Sequence, residues 1–191
     1  LGASEYLKEN YKDALTTLLK GVTYVDENNA ALLANFYGQI GDLYHQLAKP
    51  DSAFITYDKA LTYDPNNLGV LNNYSYYLSL AKKNLDKAEK MSSITVKAEP
   101  SNPTYLDTYG WVLFEQGAYT ISKIYIENAI RYSEEKKEDI SAEVFEHYGD
   151  VLFKTGDTEK ALEYWLKAKE KGGSKSKTLD KKIETKTYIA E

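Results

Sequence analysis

A chain of 191 residues that is 42% hydrophobic and 28% charged has the makeup of a folded protein, which excludes disorder as its default state. Its net charge of -5 leaves no general basic face for nucleic acid, and the lack of cysteine excludes disulfides, a thiolate nucleophile and zinc–thiolate sites. Eighteen tyrosines against five phenylalanines point to many half-buried helix surfaces, because a tyrosine packs its ring while its hydroxyl stays wet.

Apolar residues recur at three- and four-residue spacing almost throughout and no long alternating run suggests a strand, so an all-α chain is expected. No run of about 18 apolar residues offers a membrane span. At the N-terminus, LGASEYLKENYKDALTTLLKGVTYVDENN, with Ala14 and Leu18 in one helix, reads as the remainder of a unit whose leading helix lacks its first half. Together with Leu1 in place of methionine, this predicts a piece that begins inside a longer array, its targeting segment, if any, gone.

Turn signals then cut the chain into short helices: Lys49-Pro50-Asp51, Asp64-Pro65-Asn66-Asn67, Glu99-Pro100-Ser101-Asn102-Pro103, Gln116-Gly117, Thr155-Gly156-Asp157 and Gly172-Gly173-Ser174. Between the third and fourth pieces, YSEEKKEDISAEV adds about five residues, expected as a longer lead-in to the next first helix or as a loop. Its charge run, residues 134–139, reads as a solvated connecting face. The last stretch, SKTLDKKIETKTYIAE, sets Leu179, Ile183 and Tyr188 or Ile189 on one face and reads as a cap for an open apolar end. Its lysines, Lys175, Lys177, Lys181, Lys182 and Lys186, are expected in solvent.

Aligning the pieces exposes a period. Ile40-Gly41, Tyr74-Ser75, Tyr109-Gly110 and Tyr148-Gly149 fall 34, 35 and 39 residues apart. A second column holds Ala53, Ala88, Ser122 and Ala161, followed by Ala60, Thr95, Ala129 and Ala168; Pro65 and Pro100 close the first two units. A large residue before a small one, then alanine, an aromatic, another alanine and proline, is the pattern of the tetratricopeptide repeat, which this sequence resembles over nearly its whole length. Tyr37, Ile40, Gly41, Tyr44, Ala53, Tyr57, Ala60 and Pro65 fill its eight signature places, whereas Ser92 and Thr95 depart from the expected aromatic and alanine of the next unit. LNNYSYYLSL, PTYLDTYGWVLFEQG and EHYGDVLFKTGDTEKALEYWLKA look like repeats of bacterial proteins of Bacteroidetes type.

The resemblance implies an α-α superhelix, a solenoid of four full repeats at 34–67, 68–102, 103–140 and 141–174, preceded by a partial repeat at 1–33 and closed by a capping helix at 175–191. It explains why Gly110 sits mid-helix at a cost of about 1 kcal/mol: the small residue lets the paired helix's alanine approach closely. Trp165 takes the core aromatic place of the second helix.

Positions on each unit's first helix line the concave face in this family. Carried over, they give a partner-binding groove of Asn35, Asp42, His45, Asn72, Tyr76, Asp107, Trp111, Phe114, Glu146 and Asp150. Trp111 is there either an anchor for a peptide or filler of the inner seam against Tyr76 and Phe114. The basic clamp that some relatives use for a C-terminal carboxylate is missing, and Asp42, Asp107, Glu115, Glu143, Glu146 and Asp150 turn the groove acidic, which suits a basic or amide-rich extended peptide with an apolar anchor.

No phosphate-cradling loop, HExxH, serine elbow or EF-hand spacing is present, and Asp42 with His45 resembles a hydrogen-bonded pair more than a catalytic dyad. The expected function is therefore a noncatalytic protein-interaction module with no metal or cofactor, not inserted in a membrane and open to oligomerisation. The alternatives are a spacer or oligomerisation arm of a larger envelope protein and the regulatory domain of an enzyme. The bacterial resemblance implies the cell envelope or periplasm, through a lipoprotein anchor in the longer chain, with the cytoplasm as the alternative.

Overall fold

The computed structural model describes residues 2–172 and 176–190, with side chains from Lys8 onward; the readings for Gly173, Ser174 and Lys175 lie outside the described residues. Among these the chain is all-α: α1 (Gly2–Gly21), a short 3-10 turn (Val22–Tyr24), α2 (Ala30–Gln46), α3 (Pro50–Tyr63), α4 (Leu68–Leu80), α5 (Leu85–Ala98), α6 (Pro103–Glu115), α7 (Tyr119–Lys136), α8 (Ala142–Lys154), α9 (Thr158–Glu170) and α10 (Leu179–Thr185). It falls into two compact units, Leu1–Ala81 and Lys82–Glu191, divided between α4 and α5 inside the expected 68–102 repeat.

Each first helix starts where a side chain takes over orphan amides. Asn29 accepts from the Leu32 amide ahead of α2, Asn67 from Val70 ahead of α4, Asn102 from Thr104 and Tyr105 ahead of α6, and Ser141 from Val144 ahead of α8. The helices are closed just as regularly. Ala48, Lys82, Gly117 and Gly156 follow the four first helices and all have positive φ, so the left-handed turn that glycine adopts freely is forced on an alanine and a lysine in the first two cases.

In the first unit α2 and α3 pack around Ile40, Ala53, Tyr57 and Ala60. Gly41 is the point of closest approach: a Cβ there would lie 2.6 Å from the Tyr57 ring. In the second unit Gly110 faces Ile126 at 2.5 Å and Gly149 faces Trp165 at 2.5 Å. The close neighbour of each glycine is thus the large residue of the second helix. The alanine column comes near as well: the Ser122 hydroxyl donates to the Gly110 carbonyl at 2.7 Å, and the Ala161 carbonyl lies 3.1 Å from where a Gly149 Cβ would be. Trp165 is fully buried, as expected of a core aromatic.

Two expectations are corrected. The extra residues near 134–139 add no lead-in to α8; Glu134 to Lys136 lengthen α7 to 18 residues, capped by Lys137 with φ 57, and Glu138 and Asp139 belong to the loop that leads to α8. Glu134 to Lys136 are good helix formers with no breaker before that turn, so the second helix simply continues. Lys182 is not in solvent: it is 2% exposed and ion-paired inside the second unit.

The packing makes Gly149→Ala destabilising by about 1–3 kcal/mol, since both an indole and a backbone carbonyl must yield. Ala48→Gly should instead be neutral to stabilising by up to about 1 kcal/mol, by relieving a left-handed alanine on an exposed turn. Denaturant midpoints of the two variants against the native chain check both signs.

Candidate functional site

The inner surface is read from the helices that carry it. In the first unit α2 and α4 flank a cleft of about 360 Å³ lined by Leu32, Asn35, Phe36, Gly38, Gln39, Asp42, Tyr57, Asn67, Gly69, Val70 and Asn73. Gln39 and Asp42 also border a hollow of about 490 Å³ between α1 and α2, whose other walls are Ala14, Thr17, Leu18 and Leu43. A carboxamide-rich cleft and an apolar recess thus share Gln39 and Asp42 as walls.

Asp42 organises this cleft. One carboxylate oxygen accepts from the Tyr57 hydroxyl at 2.5 Å and from Asn73 Nδ2 at 3.1 Å, tying α3 and α4 to α2. Burial raises its pKa, and the bonds from Tyr57 and Asn73 pull it part of the way back. Asn35 is exposed and accepts from Asn67 Nδ2 at 2.9 Å. His45 stacks on Tyr77 with centroids 3.6 Å apart, and half-buried Tyr76 tilts against the same Tyr77 ring. Asn72 is buried; its Nδ2 reaches Asn73 at 3.3 Å, while its Oδ1 has no hydrogen-bond partner among the described residues.

In the second unit the corresponding positions are filled from within. Trp111 is 8% exposed and sandwiched between Phe114, at 4.6 Å between centroids, and His147, at 3.9 Å, in near-parallel stacks. His147 Nδ1 lies 3.1 Å from both oxygens of buried Asp107. Burial works against the charged imidazolium, but the Asp107 carboxylate, with Glu143 and Asp150 adding, outweighs it and leaves the His147 pKa raised.

Glu146 and Asp150, 4% and 2% exposed, both accept from Lys182 Nζ at 2.7 Å, and Asp150 also accepts from Trp165 Nε1 at 2.9 Å. Burial pushes Asp150 up to about 6 even though Lys182 pulls the other way. Glu115 faces Lys82 at 3.6 Å, and burial raises its pKa too.

Most of the predicted residues thus form three groups: Asn35 and Asp42 in the first unit's cleft, Trp111 and Phe114 in a ring stack whose His147 is held by Asp107, and Glu146 with Asp150 around a lysine; His45 and Tyr76 instead meet on Tyr77, and Asn72 lies buried against Asn73. Asn73, His147 and Lys182 were missed as their partners. The aspartates carried a readable signal. Asp42 and Asp150 each precede by fifteen residues a second-helix Tyr or Trp that needs an acceptor once buried, whereas Ile126 needs none and has Trp111 at that offset.

The family model described as Tetratricopeptide repeat matches residues 34–67. A curated relative named "Uncharacterized protein ycf37", from Guillardia theta, is 30% identical over 102 residues, which are 53% of this chain and 57% of that protein; the chain spans little more than half of its length. A thermophilic tetratricopeptide-repeat protein of Thermus thermophilus superposes with a TM-score of 0.69 at 15% identity, over 97% of this chain and 95% of that one. YrrB, described as a tetratricopeptide-repeat protein with an unusual peptide-binding site, gives 0.58 at 19% identity over 81% and 74%. At such identities the likeness is one of fold.

His147 binds its proton more tightly folded than unfolded. Its stabilising contribution is therefore full below its unfolded value of about 6.5 and disappears as pH rises through the higher folded-state value. The gap in melting temperature between the native chain and His147→Gln should narrow as pH is raised from about 6 to about 8, the range of ordinary histidine titration. A gap constant across that range would contradict the charged pair with Asp107.

Proposed function

Because this chain is a tetratricopeptide-repeat protein, we propose that it is an adaptor that holds an extended segment of another protein in the cleft between α2 and α4. Tetratricopeptide repeats serve generally as noncatalytic protein-interaction scaffolds, and among the described residues no helix is long and apolar enough to cross a membrane. The observation that carries the reading is the lining of the cleft. Asn35, Gln39, Asn67 and Asn73 line it with carboxamides, Asn35 and Gln39 on its exposed side, and a carboxamide can satisfy both an N–H and a C=O of a peptide.

The guest follows from the walls. Asp42 favours a lysine or arginine, or an amide, where it borders the cleft. The recess of Ala14, Leu18 and Leu43 favours one apolar side chain beside it. A peptide-binding site on the same fold in YrrB supports this use of the surface.

Selection of a random-sequence peptide library on the native chain should enrich segments that combine Lys, Arg, Asn or Gln with a single large apolar residue. Asn35→Ala/Gln39→Ala, both exposed positions, should weaken the selected peptides about tenfold, or ~1.4 kcal/mol, with the fold intact. Binders indifferent to that double substitution, or no binders, would overturn the reading.

A further inference from the structure

The second unit carries a different feature. Past α10 the backbone turns at Lys186, with φ 52, and Thr187 N donates to the Lys182 carbonyl at 3.3 Å. Residues 188–190 have no regular secondary structure, yet Tyr188 and Ile189 are half-buried. The Tyr188 ring stands edge-on to Phe114, 5.7 Å between centroids and 67° between planes. Lys154 Nζ lies 4.2 Å from its centroid and Lys182 Nζ 5.5 Å. Phe114 is one of the inner-surface positions, so a short irregular strand of the chain's own sequence lies on a face of the kind that tetratricopeptide repeats offer to peptides.

We propose that residues 187–190 are a built-in occupant of a peptide subsite on the second unit, exchanged for a partner segment that presents a tyrosine or tryptophan. The subsite is formed independently of its occupant. Phe114 is held by its stack on Trp111, which His147 backs from the other side, and Lys182 is held by Glu146 and Asp150, so the platform and one of the two cations are in place whether or not Tyr188 is there. Two ammonium groups around one ring select an aromatic guest, because the ring face offers them a quadrupole that an aliphatic side chain lacks, and the edge-on approach to Phe114 adds to that selection.

The occupant, by contrast, has no regular secondary structure to hold it. After Thr187 it adds no regular helix or strand, and few apolar side chains have to leave for it to open, which places it among segments that open locally while the rest stays folded. The helix before it need not move. Lys182 anchors α10 through two buried charge contacts, and the chain hinges beyond it at the left-handed Lys186.

This inference rests on the reading of the first-helix faces as peptide-binding surface, but it concerns a separate site. Asn35 and Gln39 take no part in it, so either reading can fail alone. The test follows backbone amide signals by NMR in the full chain, native and Tyr188→Ala. The probe is the acetylated peptide Lys-Thr-Tyr-Ile-Ala, the sequence of residues 186–190, with a control that has alanine for tyrosine.

In Tyr188→Ala the probe should move the signals of Phe114, Tyr119 and Lys154 and bind at least about tenfold more tightly than to the native chain, whose own residues 187–190 compete. The control peptide should move nothing, and adding Lys154→Ala should weaken the probe. Equal binding to both chains, no shifts in Tyr188→Ala, or loss of the native spectrum in Tyr188→Ala would each overturn the proposal, since residues 187–190 would then be a fixed part of the fold.

Discussion

The close approach of paired helices, with a large second-helix side chain pressed on a first-helix glycine, is the constraint from which the inner surface follows. Tyr57 on Gly41 and Trp165 on Gly149 bring a hydroxyl and an indole N–H into the core of a helix pair. A buried donor without a partner costs about 1–3 kcal/mol, so an acceptor must stand within reach. The residue after each glycine is an aspartate, Asp42 or Asp150, and each accepts from the ring of its own pair. Between α6 and α7 the same place is held by Ile126, which brings no donor. The position after Gly110 is then free to carry Trp111.

Each of these aspartates takes a second partner from a later helix, and the choice of partner makes the two ends differ. Asp42 is half-buried and shares its charge with Asn73, a neutral amide, which leaves an open, polar cleft. Asp150 lies deeper, next to Glu146, and two buried carboxylates call for a cation. Lys182 supplies it. An ion pair of this kind adds little net stability beyond its own desolvation, but it admits one arrangement of α10 against α8 and rejects others. The last helix is placed by charge as much as by Leu179, its buried apolar contact.

The repeat at 34–67, the helical class and the core role of Trp165 were legible because the period of large and small residues repeats through the chain. What the sequence hid were contacts that depend on how one repeat meets the next. His147 and Asp107 lie forty residues apart, in a stretch where α7 runs past its expected end, so no spacing rule pairs them. Lys182 looked solvated because it sits among charged neighbours in sequence, Asp180, Lys181 and Glu184. Its surroundings come instead from Glu146 and Asp150 on another helix. The acidic character read into the later first helices is present in the residues and absent as open surface, since Asp107, Glu146 and Asp150 are all engaged within the unit.

Such a surface divides its positions by duty. A side chain that satisfies a buried group cannot change its chemistry without cost to the fold, so Asp42 and Asp150 have little freedom to follow a ligand, whatever that ligand is. Freedom remains where a side chain borders the cleft and leaves the core alone. Asn35 and Gln39 are exposed members of the first unit's cleft, and Asn35 meets the chain through one amide bond to Asn67. Variation in specificity is therefore expected in the neutral, replaceable rim around a fixed Asp42, while Asp107, Glu146 and Asp150, which looked like binding groups in the sequence, are spent on contacts within their own unit.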